Sequence, residues 1–319
     1  MGRAHGENLL KTGKAEVISV CDVSEHNADA LASDLKAVAY TDFDKMLDKE
    51  PFDVLYICLP PFAHSGQFEK AAARGIHIFI EKPIALDTKR GENMCNAARV
   101  AGIHTMVGFH MRHGSAVARL KSVIDSGEAG RPVLFSGKYQ CNSLHTPWWI
   151  DVEKSGGQIF EQAIHLYDMC RYLIGDPQTT CAFMGNVLHS EVSGYTVEDV
   201  CTSISDFEIG ALASITSNNC SIPDRWDALF EITFENLVAV FRDPDNATFF
   251  YKHPERCEEK TFNTTVDHKL VETQVFLDII LGNKEPVCDI WEGLRSLSFV
   301  DTVAKSAKLN GKKMQITKY

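Results

Sequence analysis

The chain has 319 residues, of which 45% are apolar and 24% charged, and a formal net charge of −11. That length predicts two domains with a sizeable core. The acidic balance excludes a nucleic-acid or anionic-membrane partner, since both require a basic face. No apolar run approaches the roughly 18 residues a membrane span needs, and the first residues do not read as a secretory leader. The ten cysteines form neither a CxxC pair nor a Cys/His cluster of zinc-like spacing. They read as reduced thiols of a cytoplasmic protein, with no metal site.

In chain order, residues 1–12 read as a helix with Ala4, Leu9 and Leu10 on its apolar side and Gly13 as its stop. EVISVC at 16–21 alternates as a strand and delivers Asp22. Ser24 caps a helix over 24–35. DVLYICL at 53–59 is a near-continuous apolar strand that ends at Pro60-Pro61, and 64–74 is helical to Gly75. The strand at 77–80 runs without a turn signal into Glu81-Lys82-Pro83. A helix over 87–101 and a strand over 105–108 follow. Apolar strands alternating with helices predict a parallel sheet covered on both faces.

After Arg112 the rhythm changes. A helix over 115–126 precedes strands at 133–141, 180–188, 196–207, 211–217, 228–234 and 237–242. Their short connections predict an antiparallel sheet. Helices are expected over 157–174, 265–281 and 291–309. The expected division is a dinucleotide-binding domain over 1–110 and an α+β domain over 111–319 for substrate and self-association.

Two stretches carry chemistry. Glu81-Lys82-Pro83 lies where a buried strand reaches the carboxyl edge of an open α/β sheet, the edge at which ligands bind. In GGQIFEQAIHLYD, helical spacing puts Glu161 and His165 on one face, with Asp168 a further three residues on. A dinucleotide signature needs G-x-G-x-x-G between a first strand and a first helix. Only its tail is present, as Gly2, with Asp22 about 20 positions later. A carboxylate there binds the two adenine-ribose hydroxyls and repels a 2′-phosphate, which favours NAD over NADP.

MGRAHGENLL, CDVS, ICLPPFAH, IFIEKPIAL, VGFHMR and GGQIFEQAIHLYD occur in that order. Together they resemble the glucose–fructose oxidoreductase / inositol dehydrogenase / MocA family over nearly the whole chain. The match begins inside the glycine motif, with His5 at its last histidine. The expectation is therefore a Rossmann-type sheet without its first strand, in a chain that starts at an internal methionine.

The resemblance implies an NAD(P)-dependent oxidoreductase acting on a sugar, polyol or cyclitol, with NADP the less favoured cofactor. Lys82 and His165 would point into one cleft. Either could be the base, the other stabilising the reacting oxygen; Glu161 would orient His165 or bind a substrate hydroxyl. Gly2, Asp22, Leu59, Pro60, His64, Glu81 and Lys82 are expected to line the cofactor. Arg112, Trp148 and Asp168 are expected on the substrate side, with Trp149 and Tyr139 as weaker candidates. The resemblance also implies a cis bond before Pro83 and a homodimer or homotetramer through the antiparallel sheet. The competing readings are a non-catalytic dinucleotide sensor, a cofactor-deficient truncated form, and a relative that cleaves glycosidic bonds with transient use of NAD.

Overall fold

The computed structural model describes residues 1–252 and 257–319. The first part alternates helices and short strands: α1 (Gly2–Thr12), β1 (Ser19–Cys21), α2 (Glu25–Leu35), β2 (Val38–Tyr40), α3 (Phe43–Lys49), β3 (Val54–Ile57), α4 (Gln67–Ala72), β4 (His77–Ile80), α5 (Thr88–Ala101) and β5 (Thr105–Val107). All strand pairs here are parallel, β1 with β2 and β3–β4–β5 in that order. Among the described residues no strand joins β1 to β3.

Local chemistry starts and stops these helices. Ser24, Asp42 and Asp87 each accept the backbone N–H three residues on, worth about 1 kcal/mol apiece. Gly13 and Gly102 close α1 and α5 in the left-handed conformation. Central β4 is dry, with Ile78, Phe79 and Ile80 fully buried. Each such side chain contributes about 1.5–3 kcal/mol by leaving water. Gly6 lets α1 and α2 meet, because a Cβ there would lie 2.4 Å from Leu35 Cδ1.

The second part holds α6 (Ser115–Asp125), β6 (Pro132–Gln140), α7 (Val152–Ser155), α8 (Ile164–Ile174), β7 (Thr179–Gly185), β8 (Val200–Asp206), β9 (Leu212–Asn218), β10 (Asp227–Phe234), β11 (Leu237–Asp243), β12 (Asn246–Lys252), β13 (Cys257–Asn263), α9 (His268–Ile280), α10 (Ile290–Lys308) and β14 (Met314–Gln315). One nine-stranded sheet runs β13-β12-β11-β10-β6-β9-β8-β7-β14. It is antiparallel except for β6 and β9, which pair in parallel. The large, open, mainly antiparallel sheet expected for this part is what forms; its one parallel pair arises because the chain between β6 and β9 makes a long excursion through α7, α8, β7 and β8.

The inner face of this sheet packs on α8 and α10, with Phe135, Leu166, Phe230 and Phe299 in one apolar core continuous with β3–β5. The outer face leaves Phe183, Ile204 and Leu212 exposed at 67%, 54% and 49%. No helix of the described residues is long and apolar enough to cross a membrane. Nine of the cysteines are free thiols; the side chain of Cys257 lies outside the described residues.

Candidate active site

Strand β4 ends at Ile80, and its continuation carries Glu81, Lys82 and a cis Lys82–Pro83 bond. His64 pins this loop from below: its Nδ1 lies 2.9 Å from the Ile84 carbonyl oxygen, and its Nε2 is buried without a partner. Burial depresses the His64 pKa, which keeps the ring neutral. Glu81 is 7% exposed, and its Oε1 is 2.8 Å from His5 Nε2 on α1. Burial works to raise the Glu81 carboxyl. The His5 hydrogen bond and the Lys82 charge outweigh it and hold the pKa below its ordinary value.

Lys82 reaches across to the other part of the chain. Its Nζ donates to the Glu161 carbonyl oxygen at 2.5 Å and to Glu161 Oε2 at 3.3 Å. The helix expected over 157–174 is divided: Ile159–Ala163 form a wide π-turn and α8 begins at Ile164. Such turns recur at functional sites because they reset which side chains share a face. Glu161 accordingly sits on Lys82, not on His165, and the orienting role expected for it has no hydrogen bond behind it. Burial, opposed by Lys82, pushes the Glu161 carboxyl above its usual value.

His165 is 7% exposed, and among the described residues its Nδ1 has no hydrogen-bond partner. Burial first, then the nearby Lys82 charge, lower its pKa well below the ordinary histidine value. The ring is therefore neutral at physiological pH, able to accept a proton. His110 packs against it, ring centroids 4.5 Å apart, and Phe109 meets it edge-on at 6.1 Å.

Position 157 fixes the π-turn. Gly157 has φ +100°, and a Cβ there would come within 2.2 Å of Glu198 Oε2. Glu198 is buried, accepts the Ile159 N–H at 2.8 Å, and has its pKa raised by that burial to about 7. Gly157→Ala should therefore cost roughly 2–4 kcal/mol through backbone strain and displacement of a buried carboxylate. Thermal melts should show the loss, with Lys82 losing its partner turn as well.

The remaining expected residues divide. Gly2 opens α1, whose N-terminus has no side-chain cap; its first N–H groups suit an anion. Asp22 follows β1, with Oδ1 accepting the Ser24 N–H at 2.9 Å; among the described residues no hydrogen bond reaches its other oxygen. Leu59 and Pro60 lead into a 3₁₀ turn at Pro61–Ala63. Phe62 of that turn lies 6.1 Å from Trp148, so Trp148 stands at the mouth between the two parts. Trp149 is core, packed with Tyr195 and Val197. Tyr139 is largely buried near Glu161.

Arg112 and Asp168, expected on the substrate, are instead joined to each other. Arg112 Nε and Nη2 donate to the two Asp168 oxygens at 2.8 and 2.6 Å, and Nη2 also reaches Glu292 at 2.9 Å. Arg112 also borders a surface cavity lined by Arg171, Trp291, Glu292 and Arg295. His110, Glu198 and Glu292 were not expected from the sequence. His110 alone had a visible signal, its place in GFHMR two residues before Arg112.

The donor set suits a dinucleotide: an uncapped helix N-terminus for pyrophosphate, an acid after β1 for ribose, and a lysine at the strand edge. Comparison with known proteins agrees. Residues 1–109 match the profile of an oxidoreductase family with an NAD-binding Rossmann fold, and residues 117–238 match the GFO/IDH/MocA C-terminal domain. A scyllo-inositol 2-dehydrogenase (NAD+) of Bacillus subtilis is 28% identical over 224 residues, covering 69% of this chain and 65% of that protein. A myo-inositol 2-dehydrogenase of Thermotoga maritima is 25% identical over 245 residues, 76% of this chain and 72% of that protein. The crystallised levoglucosan dehydrogenase in complex with NADH and levoglucosan shares the fold at TM-score 0.92 and 21% identity, over 100% of this chain and 97% of its own. The chain belongs to the GFO/IDH/MocA family of oxidoreductases, whose N-terminal domain is an NAD-binding Rossmann fold.

Proposed function

We propose that the chain oxidises a secondary hydroxyl of a sugar, polyol or cyclitol with NAD, or reduces the matching ketone. The observation that carries this reading is the bridge from Lys82, at the end of β4, to the π-turn that precedes His165. We read the Lys82 ammonium and the His165 imidazole, whose pKa burial and then the Lys82 charge lower, as facing one substrate. Gly2, Asp22, Leu59, Pro60, His64 and Glu81 would hold a nicotinamide dinucleotide, which when bound would supply the hydride acceptor. His165, neutral and desolvated, takes the hydroxyl proton. Lys82 hydrogen-bonds the same oxygen and offsets its growing negative charge. Glu161 holds Lys82 in place. Trp148 offers an aromatic face at the cleft mouth to the C–H face of a ring.

Relatives point to the substrate class, two of them being inositol dehydrogenases by name. The reading extends to a cytoplasmic homodimer or homotetramer through the exposed outer face of the nine-stranded sheet, with free thiols that suit a reducing compartment.

A panel of inositols, hexoses and polyols assayed with NAD and NADP tests the reaction. Turnover of at least one polyol with NAD is expected. Asp22→Ala should narrow the preference for NAD over NADP by roughly tenfold or more through loss of the ribose contact and of the repulsion toward a 2′-phosphate. NADH binding without turnover of any compound would point to a sensor.

A further inference from the structure

The cleft carries an ammonium with a partner and another without. Lys82 is tied to Glu161. Lys269, the second residue of α9, makes no hydrogen bond or ion pair through its Nζ among the described residues. It is half-buried. An unpaired lysine is ordinary on an open surface and costly where water is partly excluded.

Its neighbours place it in the site. His268, the residue before it, stacks on His110 at 4.9 Å between ring centroids, and His110 packs on His165 at 4.5 Å. Glu272, one turn along α9, is 1% exposed, and among the described residues its Oε1 is buried without a partner. Phe276, a turn further, packs on Phe79 of β4 at 5.8 Å. Positions 269, 272 and 276 form one stripe of the helix, so this stripe lies over β4 and the Glu81-Lys82 edge. Burial is the first influence on the pKa of His165, His110, Glu81 and Glu272, and the Lys269 charge is felt at all four.

Neither carboxyl in that range answers the ammonium. Glu81 is bound to His5 at 2.8 Å. Burial, then the Glu81 charge, push Glu272 well above the usual carboxylate range, which keeps it neutral. The fold gains nothing from a cation here. In the first turn of a helix it opposes the macrodipole, and beside His165 it makes the base poorer. An anion arriving with the substrate would offset both. The dinucleotide is not that anion: its pyrophosphate is assigned to the α1 N-terminus beside Cys58, whereas Lys269 acts on both imidazoles at the reacting end.

We propose that Lys269 is a specificity-determining residue of this site, its ammonium binding a carboxylate or phosphate that the substrate carries away from the carbon being oxidised. The inference rests on the reading of the cleft as a sugar or polyol dehydrogenase site. It narrows the substrate to an acidic derivative, a sugar acid or a sugar phosphate. Lysine offers a point charge with three rotatable donors, which suits either group.

Glucose, glucuronate and glucose 6-phosphate, and the galactose series alike, test this with NAD. In the parent, kcat/KM for an anionic member should exceed that of its neutral counterpart by roughly 10–100-fold, the worth of a hydrogen bond to a charged group. Whichever anion is preferred identifies the substituent. Lys269→Met should bring the ratio close to one, chiefly through KM. Lys269→Arg should keep part of it, and added sodium chloride should shrink it in the parent. Calorimetry on the full chain with NADH bound makes the same comparison for binding, whether or not a compound is turned over.

The inference is overturned if the ratio differs by less than about twofold between parent and Lys269→Met, in turnover and in calorimetry. It is overturned equally if the loss in Lys269→Met lies in NADH affinity, which would give the ammonium to the cofactor. A parent that oxidises neutral sugars with no preference for their acids sinks this inference and leaves the dehydrogenase reading standing. If the parent turns over no compound, that reading fails, and acid binding lost in Lys269→Met would still seat the anion on this ammonium. Should Lys269→Met not fold, Lys269→Gln bears the same comparison.

Discussion

Lys82→Met lowers turnover by roughly 10²–10³-fold, the cost of removing one preorganised donor from a developing oxyanion. His165→Ala lowers it by roughly 10²–10⁴-fold, the span of general acid–base catalysis. The double variant should fall little below the worse single one, since the two groups act on the same oxygen and such losses do not add. Neither change should abolish NADH binding, measured by tryptophan quenching, because α1 and Asp22 are untouched. The Lys82 loss has a second component. Without the ammonium, only burial and the Glu81 charge act on Glu161, and both push its carboxyl further up. Lys82→Arg should not rescue, since a planar fork replaces a point charge whose Nζ meets a carbonyl and a carboxylate of one residue.

The pH dependence follows in sign. His165 is held well below its ordinary pKa by burial and by Lys82, so the base stays available as pH falls through the usual histidine range. Oxidation by the parent should run level through that range and decline only in more acidic solution. In Lys82→Met, the largest charge effect behind that depression is gone, and the decline should begin at higher pH. Steady-state rates of the two proteins across pH measure the difference. Unchanged turnover in both single variants would sink the assignment.

Much of this site was legible because it rests on one-dimensional signals. A buried strand with β-branched and aromatic residues that runs straight into Glu81-Lys82-Pro83 marks the sheet edge, and Asp22 follows a strand at a fixed distance from Gly2. The histidine face of α8 was legible too. The turn before it was not: spacing of four residues joins Glu161 to His165 only in an unbroken α-helix, and the π-turn at Ile159–Ala163 breaks that phase. Its cause is Gly157 beside Glu198, two residues 41 positions apart whose contact no local pattern contains. Strands β12 and β13 were missed because NATFFYK and CEEKTFN mix polar with apolar residues, and their pairing with each other and with β11 brings them into the sheet. The parallel β6–β9 pair depends on where a long excursion returns. Arg112 and Asp168 show the same limit for side chains. Each has the residue type and position of a ligand contact, and only the docking of α8 and α10 on the turn after β5 reveals that they serve one another.

Their pairing should carry a large stability effect, because it is a buried charge pair. Asp168 is 1% exposed and accepts from Arg112 Nε and Nη2, and from Ser296 Oγ at 2.8 Å. Arg171 stands 4.0 Å from it and donates to Ser296. Asp168→Ala leaves two buried guanidiniums sharing Glu292, and should destabilise the fold by about 3–5 kcal/mol, the usual cost of orphaning a buried charge. Replacing both partners, Arg112→Met with Asp168→Leu, should recover most of that loss, because the desolvation penalty disappears with the charges. Glu292 adds an acid limb. Against opposing burial, Arg171 and Arg112 hold its carboxyl down to about 2. A depressed carboxylate contributes stability above its unfolded pKa and loses it as pH falls through the folded one. Denaturant midpoints should therefore decline between pH 4.5 and about 2, and Glu292→Gln should flatten that limb. Kinetics separate this role from substrate contact. At a temperature where Asp168→Ala remains folded, its KM should match the parent's, because its carboxylate faces two arginines and a serine; a KM raised tenfold or more, as loss of a ligand contact of about 1.4 kcal/mol would give, would return Asp168 to the substrate.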